Sequence, residues 1–302
     1  MLFVGAAGHD DESLILDQLI QCGAVPGDSA APPAWDPVVP AIYVLHSADA
    51  GRAGDHIWPG LHLAIATDGR CDADILVDPA AEQIGSLWER RLVPFEANLR
   101  TGSRAPRRQQ ALLAGPDATW PQQARRLTDR LLFSVAAMII RVDHIGSTSV
   151  PGLPSKQLID IQIVVADLPT AAHVAEAARR SGFVHVPGQW FGTDQHGVDH
   201  REEVVVDADP GRPVNINIRP VTAPIWRETL LFRDWLRSHD DERDAYAELK
   251  RGLAKRTDRD VDDYSTDKMP WISDALSRAG QWAARSNWSP GPPPGASTEQ
   301  GL

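Results

Sequence analysis

Asp143-His144-Ile145-Gly146-Ser147-Thr148-Ser149-Val150-Pro151-Gly152-Leu153-Pro154-Ser155-Lys156, with Ile159-Asp160-Ile161-Gln162-Ile163 close behind it, is the stretch on which the fold turns. Met138 to Ile145 reads as a strand that runs into a Gly-Ser turn. The dense apolar run Leu158 to Ala166 reads as a central strand. Gly146 has no Cβ, so its backbone can come close to a ligand. The hydroxyls of Ser147 and Thr148, with neighbouring N–H groups, suit phosphate oxygens, and Lys156 adds a point charge. Asp160 stands in the middle of an apolar strand, where a carboxylate is costly unless paired or bound to a cation. Gln162, two residues on, shares its face.

Working outward, Pro121 suits a first helical position, and Ala124, Leu127, Leu131 and Val135 follow at near-helical spacing. Pro169 to Arg180 reads as a helix with Gly182 at its end. Phe183 to Val186, Glu203 to Val206 and Val214 to Ile218 read as strands. In the last of these Asn215, Asn217 and Arg219 alternate with Val214, Ile216 and Ile218, so one face is polar. From Pro224 through Leu253, and again from Pro270 to Ala284, the pattern is helical. Interleaved strands and helices followed by helices alone imply an α/β mixed sheet with a helical C-terminal part.

The landmarks now form an ordered set: His144-Ile145-Gly146-Ser147-Thr148, Val150-Pro151-Gly152-Leu153-Pro154, Ile159-Asp160, Leu231-Phe232-Arg233-Asp234-Trp235-Leu236-Arg237, Tyr246-Ala247-Glu248-Leu249-Lys250 and Lys268. Residues 119–288 thereby resemble the GrpB-like branch of the nucleotidyltransferase superfamily. The resemblance implies a nucleotidyltransferase fold, in which Gly-Ser opens a phosphate site and paired carboxylates hold Mg²⁺ against a triphosphate. It makes Asp160 the candidate catalytic residue and Mg²⁺ ligand. The candidate ligand-binding residues are His144, Gly146, Ser147, Thr148, Lys156, Gln162, Asn217, Arg219 and Arg233. Two departures weigh against the metal. Gln162 stands where a second carboxylate is expected, and Asn215 and Asn217 stand where a third is expected. One carboxylate holds a bare Mg²⁺ poorly, so the expectation is a degenerate metal site in a surviving polar pocket.

Other residue sets have plainer readings. Arg233 and Arg237, four apart on one helix face, and Lys250 could face an anion, against ion pairing with Asp234, Asp240 or Glu248. His196, Asp199, His200 and Glu202 match no zinc spacing and read as ordinary loop residues. Trp226, Trp235, Trp271 and Trp282 read as packing residues.

Residues 1–99 begin with the strand Leu2-Phe3-Val4 and the turn Gly5-Ala6-Ala7-Gly8, then a helix from Ser13 to Cys22 stopped by Gly23. Short strands follow at Ala41-Ile42-Tyr43-Val44-Leu45 and Leu61-His62-Leu63-Ala64-Ile65-Ala66, and an amphipathic helix at Ile84 to Asn98 is interrupted by Pro94. The opening, and Leu87-Trp88-Glu89-Arg90-Arg91-Leu92-Val93-Pro94-Phe95-Glu96-Ala97-Asn98-Leu99-Arg100, are similar to the two ends of dephospho-coenzyme A kinases. In actinobacterial relatives such a kinase precedes a GrpB-like domain. A phosphate loop needs Gly-x-x-x-x-Gly-Lys-Ser/Thr, whose Lys meets the β/γ charges. Here the Lys is missing, and Asp10, Asp11 and Glu12 stand where phosphate would lie. The expectation is a truncated P-loop-kinase-like α/β module, smaller than the second and without phosphotransfer. Residues 100–118 read as a linker and residues 289–302 as a disordered tail.

A net charge of −11 lacks the electrostatic footprint of a nucleic-acid binder. Two cysteines make neither a disulfide framework nor a zinc set. No signal peptide and no membrane span is read, so the expected location is the cytoplasm. The functional expectation is a nucleotide or phosphorylated small molecule as ligand, bound in a regulatory role near coenzyme A metabolism. Two alternatives stay open: an active nucleotidyltransferase or residual dephospho-coenzyme A kinase, and an interaction domain that supports a kinase partner.

Overall fold

The computed structural model of the chain describes residues 3–6, 10–26, 41–45, 61–65, 75–77, 84–105, 110–256 and 260–292. Ala7 and Gly8 of the opening turn, His9 after it, and residues 293–302 of the expected tail lie outside them. So do residues 106–109 of the expected linker.

The chain opens with β1 (Phe3–Ala6), α1 (Asp10–Gln21), β2 (Val25–Pro26), β3 (Ala41–Leu45), β4 (Leu61–Ile65) and β5 (Ile75–Val77). The five strands form one sheet in the order β2-β1-β3-β4-β5, with every pairing parallel. Gly23, at φ +110°, lets the chain leave α1 and return to the sheet as β2.

α2 (Ile84–Leu87) continues through a π turn (Trp88–Leu92) into α3 (Val93–Thr101). The expected interruption at Pro94 takes this form. Pro94 has no N–H to give and its ring would crowd the preceding turn. The backbone widens there instead, Val93 N–H reaching Trp88 O, and the helix runs on. Its apolar side, Leu92, Phe95 and Leu99, joins Ile15, Leu19, Leu63 and Ile75 in one core that also contains Val184 and Ala208. Arg91 forks onto Asp209 at 2.8 and 2.6 Å, and Asn98 Nδ2 donates to Ala208 O at 2.8 Å.

The second sheet follows α4 (Trp120–Val135). It comprises β6 (Arg141–Ile145), β7 (Ile159–Val165), β8 (Phe183–His185), β10 (Asp199–Asp207) and β11 (Val214–Pro220) in the order β6-β7-β11-β10-β8, and β9 (Trp190–Thr193) pairs with β10. β9 and the N-terminal half of β10 form a hairpin where the sequence reads as loop. The mixed α/β class is as expected.

Register explains the two faces. Asp160 lies between Ile145 on β6 and Asn215 on β11, and Gln162 between Asp143 and Asn217. Side chains alternate across a strand, so these polar residues share one face. Ile159, Ile161, Ile163, Val214, Ile216 and Ile218 take the other. They bury against Ala124, Leu127 and Leu131 of α4 and against Ala171, Val174 and Ala175 of α5 (Leu168–Ala177). α5 starts where Asp167 accepts from Thr170 N at 2.8 Å, a cap worth about 1 kcal/mol, and its continuation ends at Gly182, φ +81°.

Four helices complete the chain: α6 (Ile225–Ser238), α7 (Asp240–Ala254), α8 (Val261–Asp267) and α9 (Met269–Ser286). α6 lies over the polar face, where Gln162 Nε2 donates to Trp226 O at 3.1 Å. Trp235, Leu236, Tyr246, Ala247, Ala275 and Ala279 enclose Val150 and Leu153, so the helical part is packed directly on the Gly-Ser turn. Tyr246 stacks on Trp271 at 4.8 Å and meets Phe232 edge-on at 5.6 Å. Ala114 pairs with Ser155 through both backbone bonds, tying the segment before α4 to the chain just beyond the turn. Among the described residues no helix is long and apolar enough to cross a membrane.

Candidate functional site

The site begins at Gly146, which leaves β6 with φ +69° and ψ −170°. A Cβ built there would sit 2.4 Å from Asp160 Oδ2. The backbone therefore passes directly over the carboxylate, an approach that only glycine permits. Ser147–Ser149 then forms a single 3₁₀ turn, closed by Ser149 Oγ donating to Gly146 O at 2.6 Å.

Helix α6 braces both ends of this turn. Arg233 Nη1 donates to His144 O at 3.0 Å. Arg237 donates through Nε and Nη2 to Ser149 O at 3.0 and 2.7 Å. Asp234 pairs with both guanidinium groups, at 2.7 and 3.5 Å. The ion-pairing reading of these arginines thus holds. They also position the turn, because these charged donors clamp the carbonyls on either side of Gly-Ser-Thr. His144 Nε2 lies 2.9 Å from Thr148 Oγ1. Burial, then Arg237 and Arg233, holds the imidazole down at about 3, so it is neutral at ordinary pH.

Lysines from three separate segments converge on Asp160: Lys156 just beyond the turn, Lys250 on α7 and Lys268 between α8 and α9. Burial pushes the Asp160 carboxyl up, and Lys156, Lys268, Lys250 and then Arg219 draw it back only in part. Lys250 is 2% exposed, donates to Ser147 Oγ at 2.7 Å and to Pro154 O, and lies 5.4 Å from the Tyr246 ring. Its ammonium is lowered to about 7, mainly by burial and then by Lys268. Lys268 and Lys156 both approach the Tyr264 ring, at 4.7 and 5.4 Å, and Lys268 is lowered to about 8 by burial and Lys156. The Tyr264 hydroxyl is buried without a hydrogen-bond partner, an arrangement that costs about 1–3 kcal/mol unless something else occupies the pocket.

The remaining expected residues form a buried polar layer beside this cluster. Arg219 Nε donates to Glu202 at 2.7 Å, and its Nη1 to Gln162 Oε1 at 3.0 Å and Thr229 at 3.1 Å. Its charge is thus engaged by Glu202. Gln162 also reaches Asp143, which Arg141 holds at 2.8 and 2.6 Å. Asn217 accepts from Asn215 at 3.3 Å. His200 pairs with Asp194 at 2.8 Å, Asp199 accepts from Thr193 at 2.7 Å, and Glu202 faces Arg219, so these three side chains have separate partners. Among the described residues no three His, Cys, Asp or Glu gather as a metal set.

Residues 111–278 match the family model described as GrpB protein, more than half of the chain. The chain belongs to the GrpB family. A UPF0157 protein of Streptomyces coelicolor is 36% identical over 171 residues, covering 56% of this chain and 83% of that protein. The chain is also similar to the dephospho-CoA kinase of Mycolicibacterium paratuberculosis, 37% identical over 246 residues. That alignment covers 73% of this chain and 60% of the relative. The dephospho-CoA kinase of Mycobacterium tuberculosis is 36% identical over 224 residues, covering 68% of this chain and 54% of the relative. Both alignments are longer than the GrpB segment itself, and the chain spans little more than half the length of these relatives. A crystal structure of conserved protein GrpB from Enterococcus faecalis is 22% identical, with a TM-score of 0.48, covering 57% of this chain and 99% of that one.

The sequence points to the turn, Asp160 and Lys156, but not to Lys268, Tyr246 or Tyr264 as site residues. A signal was available. Tyr246/Lys250 and Tyr264/Lys268 repeat the pattern Tyr-x-x-x-Lys, and four-residue spacing on a helix sets each ammonium over its own tyrosine.

Proposed function

We propose that this GrpB domain binds a phosphorylated small molecule, nucleotide-like in its anionic part, at the Lys156, Lys268 and Tyr264 cluster. The observation that carries the reading is the convergence of Lys156 and Lys268 on Tyr264, beside Asp160, in a chain of net charge −11. A local concentration of cations in an acidic protein attracts an anion. The orphan Tyr264 hydroxyl supplies a donor to a ligand oxygen.

Mg²⁺ does not suit these donors. A hard divalent cation wants several anionic oxygens. Here one carboxylate is ringed by three lysines and Arg219, and its neighbours Gln162, Asn215 and Asn217 are amides. The lysines take the place of a metal as counter-charge. The likeness to dephospho-CoA kinases makes dephospho-coenzyme A, coenzyme A and ATP the first ligands to try. The N-terminal module, without a phosphate-loop Lys, is proposed to transfer no phosphate, which leaves a regulatory role.

A thermal-shift screen with these ligands, each with and without Mg²⁺, tests the reading. A ligand at about 100 times its Kd adds about 2.7 kcal/mol, a rise of a few degrees in Tm. The expected shift needs no Mg²⁺, disappears in Lys268→Met, and grows as pH falls from about 9 to about 6.5. The sign follows from Lys268 at about 8, which gains charge on that descent. A shift that requires Mg²⁺ would restore the metal-dependent transferase. No shift with any ligand would leave the kinase-partner reading in front.

A further inference from the structure

Lys250 does not behave as one more ligand-facing cation. Its Nζ lies 2.7 Å from Ser147 Oγ and also reaches the Pro154 carbonyl, so its orientation is set from behind. Tyr246, one turn earlier on α7, bonds Ser147 as well, and its hydroxyl is pushed up by burial, Tyr264 and Asp160, so it stays a donor. Ser147 itself is half-buried next to an exposed Gly146, hence reachable from the pocket. A hydroxyl on a tight turn, bonded to a buried amine whose position is fixed by a third group, is the arrangement that activates a nucleophile.

We propose that Ser147 is a nucleophile with Lys250 as its general base, acting on carboxylic esters that carry an anionic group. The proposal rests on the anion-binding reading for one part only: Lys156 and Lys268 would hold the anion. In the reaction neutral Lys250 Nζ takes the Ser147 hydroxyl proton as Oγ bonds to the ester carbonyl carbon. The carbon–oxygen bond to the alcohol then breaks, and the alcohol leaves with the proton from Lys250. Water attacks the acyl-serine, passing its proton through Lys250 to Ser147, and a carboxylic acid is released. Nζ keeps one hydrogen for Pro154 O throughout, which aims its lone pair at Ser147. The groups facing Lys250 are Lys268, Lys156 and Arg251, which favour the neutral amine, and Asp160, which opposes them. At its value of about 7 an appreciable fraction is neutral at physiological pH.

The test uses the full chain with p-nitrophenyl acetate, which is neutral, and mono-p-nitrophenyl succinate, which is anionic. Release of nitrophenolate is followed, and the acylated peptide is mapped by mass spectrometry. The expected result is acyl transfer to Ser147, about tenfold faster with the succinate, abolished in Ser147→Ala. It should fall on the order of 100-fold in Lys250→Met. Ser147→Ala removes a single atom and keeps the fold, so its silence is informative even if Lys250→Met folds poorly. Acylation confined to lysines, or a rate unchanged in Ser147→Ala, overturns the proposal. Ser147 acylation without preference for the succinate supports the nucleophile and sinks anion binding. A ligand-induced rise in Tm with no acyl-serine does the reverse.

Discussion

Gly146→Ala is expected to destabilise the chain by about 3 kcal/mol and to abolish binding in the pocket. Two costs combine. At φ +69° and ψ −170° an alanine would stand in a region essentially reserved for glycine, at a cost of about 1–3 kcal/mol. Its Cβ would also stand 2.4 Å from Asp160 Oδ2 and 2.9 Å from Asp160 Cβ and Cγ. Asp160 has little room to retreat, since β7 is held on both sides by β6 and β11. The turn must shift instead, and it is clamped by Arg233 at His144 O and Arg237 at Ser149 O. Overpacking of this kind typically costs about 1–3 kcal/mol. Gly197→Ala is the uncrowded comparison: its φ is also positive, +79°, and nothing lies within 4 Å of the new Cβ. Urea unfolding of both variants should give a loss at Gly197 near the backbone penalty alone and a larger one at Gly146. Equal losses would mean that the contact with Asp160 is not what holds this glycine.

The same residues show what a sequence makes legible. Strict alternation in Ile159-Asp160-Ile161-Gln162-Ile163 reads directly as one apolar and one polar face, because strand periodicity is local. Gly146 before Ser147 reads as a turn for the same reason. The lysine cluster is not local. Lys250 and Lys268 lie about a hundred residues beyond Ser147, and only the packing of α6, α7 and α9 around Val150 and Leu153 brings them home. Arg219 reads as a free cation from its strand position, but Glu202 stands close by on the antiparallel neighbour and engages it. The hairpin arm Trp190–Thr193 escaped because three of its four residues stay exposed, so no buried face writes an alternation into it. Pro94 reads as a break because propensity cannot foresee that one π turn absorbs the missing donor.

Lys250→Met should change the pH dependence of stability strongly. The ammonium drops from an ordinary 10.5 to about 7 on folding, through burial, Lys268, Lys156 and Arg251, against the pull of Asp160. A depressed lysine is one the folded state prefers neutral. Its stabilisation is fully present above about 10.5 and is lost progressively as pH falls to about 7, where the folded protein must finally take up the proton. At 1.36 kcal/mol per unit the window amounts to an effect on the order of 4 kcal/mol. Methionine matches the length of the side chain and never charges, so the variant lacks this slope. It leaves Pro154 O without its donor, however, a fixed cost of about 1–3 kcal/mol. Near pH 10 the wild type should therefore be the more stable. Near pH 6.5 the variant should draw level or overtake it. Urea unfolding of both proteins across that range measures the difference directly. A difference that stays flat would mean the lysine keeps an ordinary pKa, charged at every pH of interest. In that event Lys250 would serve as a permanent counter-ion to Asp160 and the ligand, and Ser147 would have no base.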